Sequence, residues 1–204
     1  MLPLVLDLSR LTVILVGEGA AALRRLALLD AAGAVALAVH AERPSPELAA
    51  AAGPRLLRRL PSAAELAAAN LVFLSDRDAP HCPALAAAAR AGGALVHVED
   101  APALGDVHAS AVLRRGDLTI AVSTNGKSPG LAMLVKRFLA ARFGAEWREH
   151  LDALAARRRG WRASGADARA VARWSEAWVE RNGWLAGETA PSAAATRPRL
   201  AAGG

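Results

Sequence analysis

The sequence is poor in the residues that staple or anchor unusual proteins. Among 204 residues there is one cysteine, Cys82, which excludes an internal disulfide framework and a cysteine-rich zinc or iron–sulfur site. Lysine is nearly missing: Lys127 and Lys136 are the two lysines among 25 basic residues, the rest being arginine. Apolar runs are short, and none reaches the roughly 18 uncharged residues of a membrane-crossing helix. The opening MLPLVLDLSRL lacks a basic leader, and Asp7 and Arg10 break its apolar stretch, so no secretory signal is read there. These absences make the cytoplasm the expected compartment and leave no membrane partner. Zinc-finger spacings, RNP-type aromatic motifs and basic blocks interleaved with aromatics are missing too, which argues against nucleic acid.

What is there is enough for one ordinary domain, or one domain plus an appendage. Hydrophobic residues make up 53% and charged ones 22%, a balance that excludes wholesale disorder. The formal net charge of +6 is unevenly spread. Residues 1–100 hold 9 basic and 10 acidic side chains, whereas residues 101–204 hold 16 and 9. The second half therefore favours an anionic partner.

The first hundred residues alternate β-rich runs with alanine-rich helical stretches. Strands are predicted at Thr12–Gly17, Val35–Ala41, Arg55–Leu60, Leu71–Ser75 and Leu95–Val98. Helices are predicted at Ala20–Ala32, Pro46–Ala52, Ser62–Ala69 and Pro83–Ala91. Strands apolar throughout, rather than alternating, suit parallel pairing with both faces covered. The fold class is thus α/β, a Rossmann-like doubly wound parallel sheet.

After Asp100 the pattern changes. Val107–Arg114 and Leu118–Ser123 flank a turn at Arg115–Asp117 and read as a hairpin. A helix is predicted from Ser128 to Phe143, with Leu131, Leu134, Val135, Phe138 and Leu139 on one face. Two more follow, at Glu146–Arg158 and Asp167–Arg181, and all five tryptophans lie in this terminal region. Trp174 and Trp178, one turn apart with Val171, read as a packing stripe.

Three stretches carry chemistry. Gly17-Glu18-Gly19-Ala20-Ala21-Ala22 is a G-x-G-x-x-A turn between strand and helix. In that pattern the first glycine permits the tight turn and the second lets a pyrophosphate approach the backbone. The small final residue lets helix and strand pack closely. Glu42, closing the second strand, stands where an acid takes ribose hydroxyls, which favours NAD over NADP; the adjacent Arg43 pulls the other way. At the end of the fifth strand, Glu99-Asp100 offers either a base at the ligand edge of the sheet or a cap for the next turn. Alternation puts Glu99 on the face opposite Asp100, so Glu99→Gln is expected to be mild. The third stretch, Ser123-Thr124-Asn125-Gly126-Lys127-Ser128-Pro129, reads as an anion cradle before a helix or as a plain N-cap by Ser128.

Taken together, VGEGAAALRR, VEDAP and LRRGDLTIAVSTNGKSPGLA resemble the precorrin-2 dehydrogenase family, including the dehydrogenase/ferrochelatase portion of siroheme synthases. The resemblance runs from about Leu4 to about Phe143. It implies NAD-dependent oxidation of precorrin-2 to sirohydrochlorin, and in some members insertion of Fe2+ as a further substrate. It places the essential carboxylate on Asp100, cofactor contacts on Gly17, Gly19, Ala20, Ala21, Ala41 and Glu42, and the family's hydroxyl-bearing position on Thr124. With Asn125, Gly126, Lys127 and Ser128, Thr124 is the expected tetrapyrrole-binding loop. It further implies a homodimer that exchanges the segment after the sheet, and a separate uroporphyrinogen-III methyltransferase upstream.

The expected organisation is a cofactor domain at 1–105, a dimerisation segment at 106–144, a helical region at 145–185 and a disordered tail at 186–204. Where members often carry phenylalanine and proline after the aspartate, this chain reads Asp106-Val107-His108-Ala109-Ser110, and His97 stands where asparagine is common. His97, Asp100 and His108 could form an iron-handling cluster; alternatively His97 merely fills the strand end. A non-catalytic NAD-sensing module and another oxidoreductase on the same fold stay open as alternatives.

Overall fold

A computed structural model describes residues 1–76 and 80–186. The expected tail therefore lies, but for Ala186, outside the described residues. Two units are distinguished: Met1–Leu113 with Ala121–Leu139, and Arg114–Ile120 with the described residues from Ala140 onward.

The first unit is built on five parallel strands: β1 (Thr12–Val16), β2 (Ala36–His40), β3 (Leu56–Leu57), β4 (Leu71–Leu74) and β5 (Leu95–Val98). Their order is β3-β2-β1-β4-β5. The chain winds outward one way from β1 and then returns to wind the other way. That creates a switch point between β1 and β4, where ligands of such sheets bind beyond the strands' carboxyl ends. Val13 pairs with Leu37 and Leu71, and Phe73 with His97.

Alternation splits the sheet into two cores. Val13, Leu15, Val39 and Phe73 pack with Leu26 and Leu29 of α1 (Ala20–Ala31) and Leu48 of α2 (Pro46–Ala52). Ile14, Val16, Val72, Leu74 and Val96 pack with Leu66 of α3 (Ala63–Ala68) and Leu85 and Ala89 of α4 (Cys82–Ala91). Burying each such leucine or valine contributes about 1.5–3 kcal/mol. Helix starts are locally encoded: Ser45 accepts the Leu48 N–H, and Ser62 with Glu65 forms a capping box.

Two strand boundaries differ from expectation. The third strand is two residues rather than Arg55–Leu60. Arg55 sits in a 3-10 turn with its guanidinium on Asp30, and the Arg59 N–H returns to the Leu57 carbonyl, turning the chain out of the sheet. The hairpin begins at β6 (Ala111–Arg115), not at Val107, and closes with β7 (Leu118–Val122). Asp106 and Val107 are held against β5 instead, both N–H groups bonding the Val96 carbonyl, at 2.7 and 3.2 Å. Helix α5 (Pro129–Arg142) follows, with Leu131, Leu134 and Phe138 exposed.

In the second unit α6 (Trp147–Ala163) runs past the expected end at Arg158. Its last turns are held from α7 (Ala168–Arg181), where Trp174 packs edge-on against Trp161 and Ser175 accepts from Arg158. Of the expected stripe Val171 is buried, whereas Trp174 is 42% exposed. Arg157 lies over the Trp178 ring.

Candidate functional site

The glycine turn sits at the switch point. Gly17 leaves β1 with its N–H on the His40 carbonyl. A Cβ there would lie 2.9 Å from the Cβ atoms of both Ala22 and Ser75, so glycine is enforced by packing. Ala22 is fully buried, and its small side chain lets α1 sit this close to the strand ends. Gly19 caps α1 without a side-chain bond, and a Cβ on Gly19 would meet nothing within 4 Å. The first turn of α1 thus presents its N–H groups and the positive end of its dipole to open space.

Ser75, at the end of β4, is buried with its hydroxyl unpartnered among the described residues. An open glycine, first-turn helix N–H groups that no described residue takes up, and an orphaned hydroxyl together fit a dinucleotide diphosphate. Asp76 accepts the Glu18 N–H at 2.8 Å, and burial pushes its carboxyl up from the usual range. Glu18 in turn accepts the Arg43 N–H at 2.9 Å and lies 4.0 Å from the Arg43 guanidinium. Ala41 is buried at the end of β2, with Glu42 exposed beyond it. Of the expected cofactor residues, Gly17, Gly19, Ala20 and Ala21 form one turn, while Ala41 and Glu42 follow the neighbouring strand.

At the end of β5 the chain makes a tight turn, the Ala101 N–H reaching the Val98 carbonyl. Asp100 is exposed there with φ +51°, the left-handed region that favours glycine. Glu99, expected on the face opposite Asp100, is half-buried and paired. Arg25 of α1, only 8% exposed, donates to Glu99 Oε2 at 2.5 Å and lies 3.2 Å from His97 Nε2. His97 and Arg25 beside Glu99 hold its carboxyl down, to about 2. His97 Nδ1 donates to the Val107 carbonyl at 3.1 Å, while its Nε2 lies 3.5 Å from Glu99 Oε2. Both His97 nitrogens are thereby engaged in the protein interior, and His108 is half-buried in the segment leading to β6. Among the described residues no three His, Cys, Asp or Glu side chains converge as a metal ion would require.

The third stretch folds on itself. Asn125 and Gly126, at φ +51° and +78°, form a turn closed by the Lys127 N–H on the Thr124 carbonyl. The Thr124 hydroxyl donates to the Ser128 carbonyl and accepts its N–H, and Ser128 Oγ caps α5 through the Leu131 N–H. Those two hydroxyls shape the loop, while the side chains of Asn125 and Lys127 stay exposed.

Sequence reasoning missed Arg25, Ser75 and Asp76. A signal existed for each: Arg25 falls on the buried stripe of α1 with Ala22, Leu26 and Leu29, and Ser75-Asp76 ends a strand beside the switch point.

Comparison with known proteins agrees with this geometry. A family model described as "Putative NAD(P)-binding" matches residues 4–111, and one described as "Sirohaem biosynthesis protein central" matches residues 115–142. The siroheme synthase of Pseudomonas putida (strain W619) is 40% identical over 159 residues, covering 76% of this chain and 34% of the relative. That of Methylococcus capsulatus is 36% identical over 149 residues, covering 70% and 31%. The chain thus spans about a third of the length of these relatives. A solved structure titled "SirC, precorrin-2 dehydrogenase" superposes with a TM-score of 0.68 at 21% identity, over 91% of this chain and 97% of that one. At that identity the likeness establishes the fold.

Proposed function

The chain belongs to the NAD(P)-binding family matched over residues 4–111, and from that membership we propose that it oxidises precorrin-2 to sirohydrochlorin with NAD. The observation that carries the reading is Asp100: a carboxylate held in a glycine-like backbone conformation, exposed at the same edge of the sheet as an open dinucleotide turn. Strain of that kind costs about 1–3 kcal/mol and collects where a side chain must be aimed. Likeness to siroheme synthases across both the cofactor domain and residues 115–142 supports the substrate class.

NAD, when bound, supplies the hydride acceptor. Gly19 and the N–H groups of Ala20 and Ala21 would hold its diphosphate, and Glu42 would take its ribose hydroxyls. Asp100 receives the proton that leaves the tetrapyrrole as its carbon–hydrogen bond gives up a hydride. Asn125 and Lys127 grip the rim carboxylates of the substrate, on a loop shaped by Thr124, Gly126 and Ser128. The substrate comes from a methyltransferase acting on uroporphyrinogen III. If Fe2+ is inserted afterwards, it enters as substrate, with Asp100 passing the two displaced pyrrole protons one at a time to water. The functional form is a homodimer joined through the segment 106–144.

Oxygen-free incubation with precorrin-2 and NAD, followed by absorbance, tests this directly. NADH should appear in step with sirohydrochlorin, and added Fe2+ then reports on metal insertion. Asp100→Asn keeps size and tolerates the left-handed backbone, so NAD should still bind while turnover falls by about 10²- to 10⁴-fold. NAD binding without any tetrapyrrole oxidation would favour a sensing module instead.

A further inference from the structure

Arg25 stands at a position where an apolar residue would complete the α1 stripe. Its neighbours on that face, Ala22, Leu26 and Leu29, are buried at 0–1% exposure. Burying a guanidinium among them is costly unless it is paired. The pairing runs in one direction, toward the turn that carries Asp100. Arg25 reaches Glu99 at 2.5 Å and His97 at 3.2 Å, and its guanidinium lies 5.2 Å from the Phe73 ring centre. Its Nε is left without a partner among the described residues, so the side chain is arranged for these contacts and not for full satisfaction.

We infer that Arg25 is a positioning residue for Asp100: through Glu99 and His97 it fixes the left-handed turn at the end of β5 to the helix whose first residues form the dinucleotide turn. The inference rests on the reading of Asp100 given above. The geometry has three anchors. Glu99 is held by its side chain from α1, and by its N–H, which donates to the Leu74 carbonyl of β4 at 2.9 Å. His97 is held from the far side by its Nδ1–H on the Val107 carbonyl. The segment after the turn is laced down as well, Arg90 Nε bonding both carboxylate oxygens of Asp106 at 2.9 Å. Between these anchors Asp100 has its backbone set, at an exposed position. From Gly19 to Arg25 the helix rises about 9 Å, a rigid strut between the cofactor turn and the proton acceptor.

The test uses Arg25→Gln, Glu99→Gln, their combination, and Arg25→Lys as the conservative variant. Each single neutral variant should lower kcat for precorrin-2 oxidation by about 10- to 100-fold, the scale of a small misplacement of a reacting group. NAD affinity should stay near that of the unsubstituted protein. The double variant should be no worse than either single one, because both cut the same link. Arg25→Lys should recover part of kcat. Independently of activity, amide hydrogen exchange across residues 96–107 should quicken in Arg25→Gln. A fall in melting temperature with kcat and exchange unchanged would overturn the inference, as would additive losses in the double variant. Should Arg25→Gln fail to fold, Arg25→Lys and Glu99→Gln carry the same comparison. An unsubstituted protein inert toward precorrin-2 would overturn the proposed function instead, and the exchange measurement would still decide whether Arg25 holds the turn.

Discussion

At the scale of single residues, the proposed cofactor turn separates two effects that usually coincide. Gly19 has an ordinary φ of −115°, and a side chain added there meets nothing of the protein within 4 Å. Gly19→Leu should therefore melt near the temperature of the unsubstituted protein yet bind NAD far more weakly, as calorimetric titration beside a thermal melt would show. A variant that binds NAD normally would place the diphosphate elsewhere. On the proposed reading, choice between NAD and NADP would lie with Glu42, whose carboxylate would meet a 2′-phosphate, and with Glu18, which lies 4.0 Å from the Arg43 guanidinium. NAD should bind more tightly than NADP, Glu42→Ala should narrow the gap, and Glu18→Gln added to it should shift preference toward NADP by freeing Arg43. Equal affinities before any substitution would mean that Arg43 already dominates. The glycine turn and the location of Asp100 were legible because strand, turn and helix signals adjoin in sequence. The role of Glu99 was not. Strand alternation states which face a side chain takes, but its partner Arg25 lies 74 residues away, and only the folded chain brings the Arg25 side chain to the end of β5.

At the scale of elements, α5 carries an exposed apolar face. Leu131, Leu134 and Phe138 are 51%, 54% and 59% exposed on one face, and Ala132 is its one buried residue. Such a face is unusual for a monomer in water. A second copy of the chain is its expected occupant, so light scattering should report about twice the 21.1 kDa of one chain. Phe138→Arg should shift that equilibrium toward the monomer without loss of helix content; a fully active monomer would remove the interface from the mechanism. This face was readable from helical spacing alone, as were the inner strands, whose apolar runs admit no other placement. Weak edges were harder. The short β3 and the late start of β6 depend on where Arg55, Arg59, Asp106 and Val107 find partners, and those partners are non-local.

At the scale of the whole molecule, the buried and paired ionisable groups set how stability responds to acid. His40 is fully buried, with Nδ1 donating to the Arg59 carbonyl at 3.2 Å and Nε2 unpartnered among the described residues. Protonating Nε2 would put a charge into the apolar face, so burial lowers its pKa from the ordinary 6.5. The unfolded chain then binds a proton that the fold refuses, and stability drops as pH falls below 6.5. Glu99 acts lower down: paired with His97 and Arg25, its carboxyl is lowered from 4.5 to about 2, so its stabilisation is whole above 4.5 and lost as pH falls toward 2. Glu65, held down by Arg59 and Ser62, adds to that lower stage. Asp76 has the opposite sign, because burial raises its pKa above 3.8 and the fold takes up its proton first. Melting temperature followed from pH 8 downward should therefore decline in two stages, on the order of a few degrees for each kcal/mol lost. His40→Gln should flatten the first stage and leave the second. Glu99→Gln should lower the melting temperature at neutral pH, because Arg25 loses its counter-charge, and should flatten the second stage, so that the two proteins converge near pH 2. If Glu99→Gln instead runs parallel to the unsubstituted protein down to that pH, the Arg25–Glu99 pair contributes nothing to stability, and the link from α1 to the Asp100 turn fails with it.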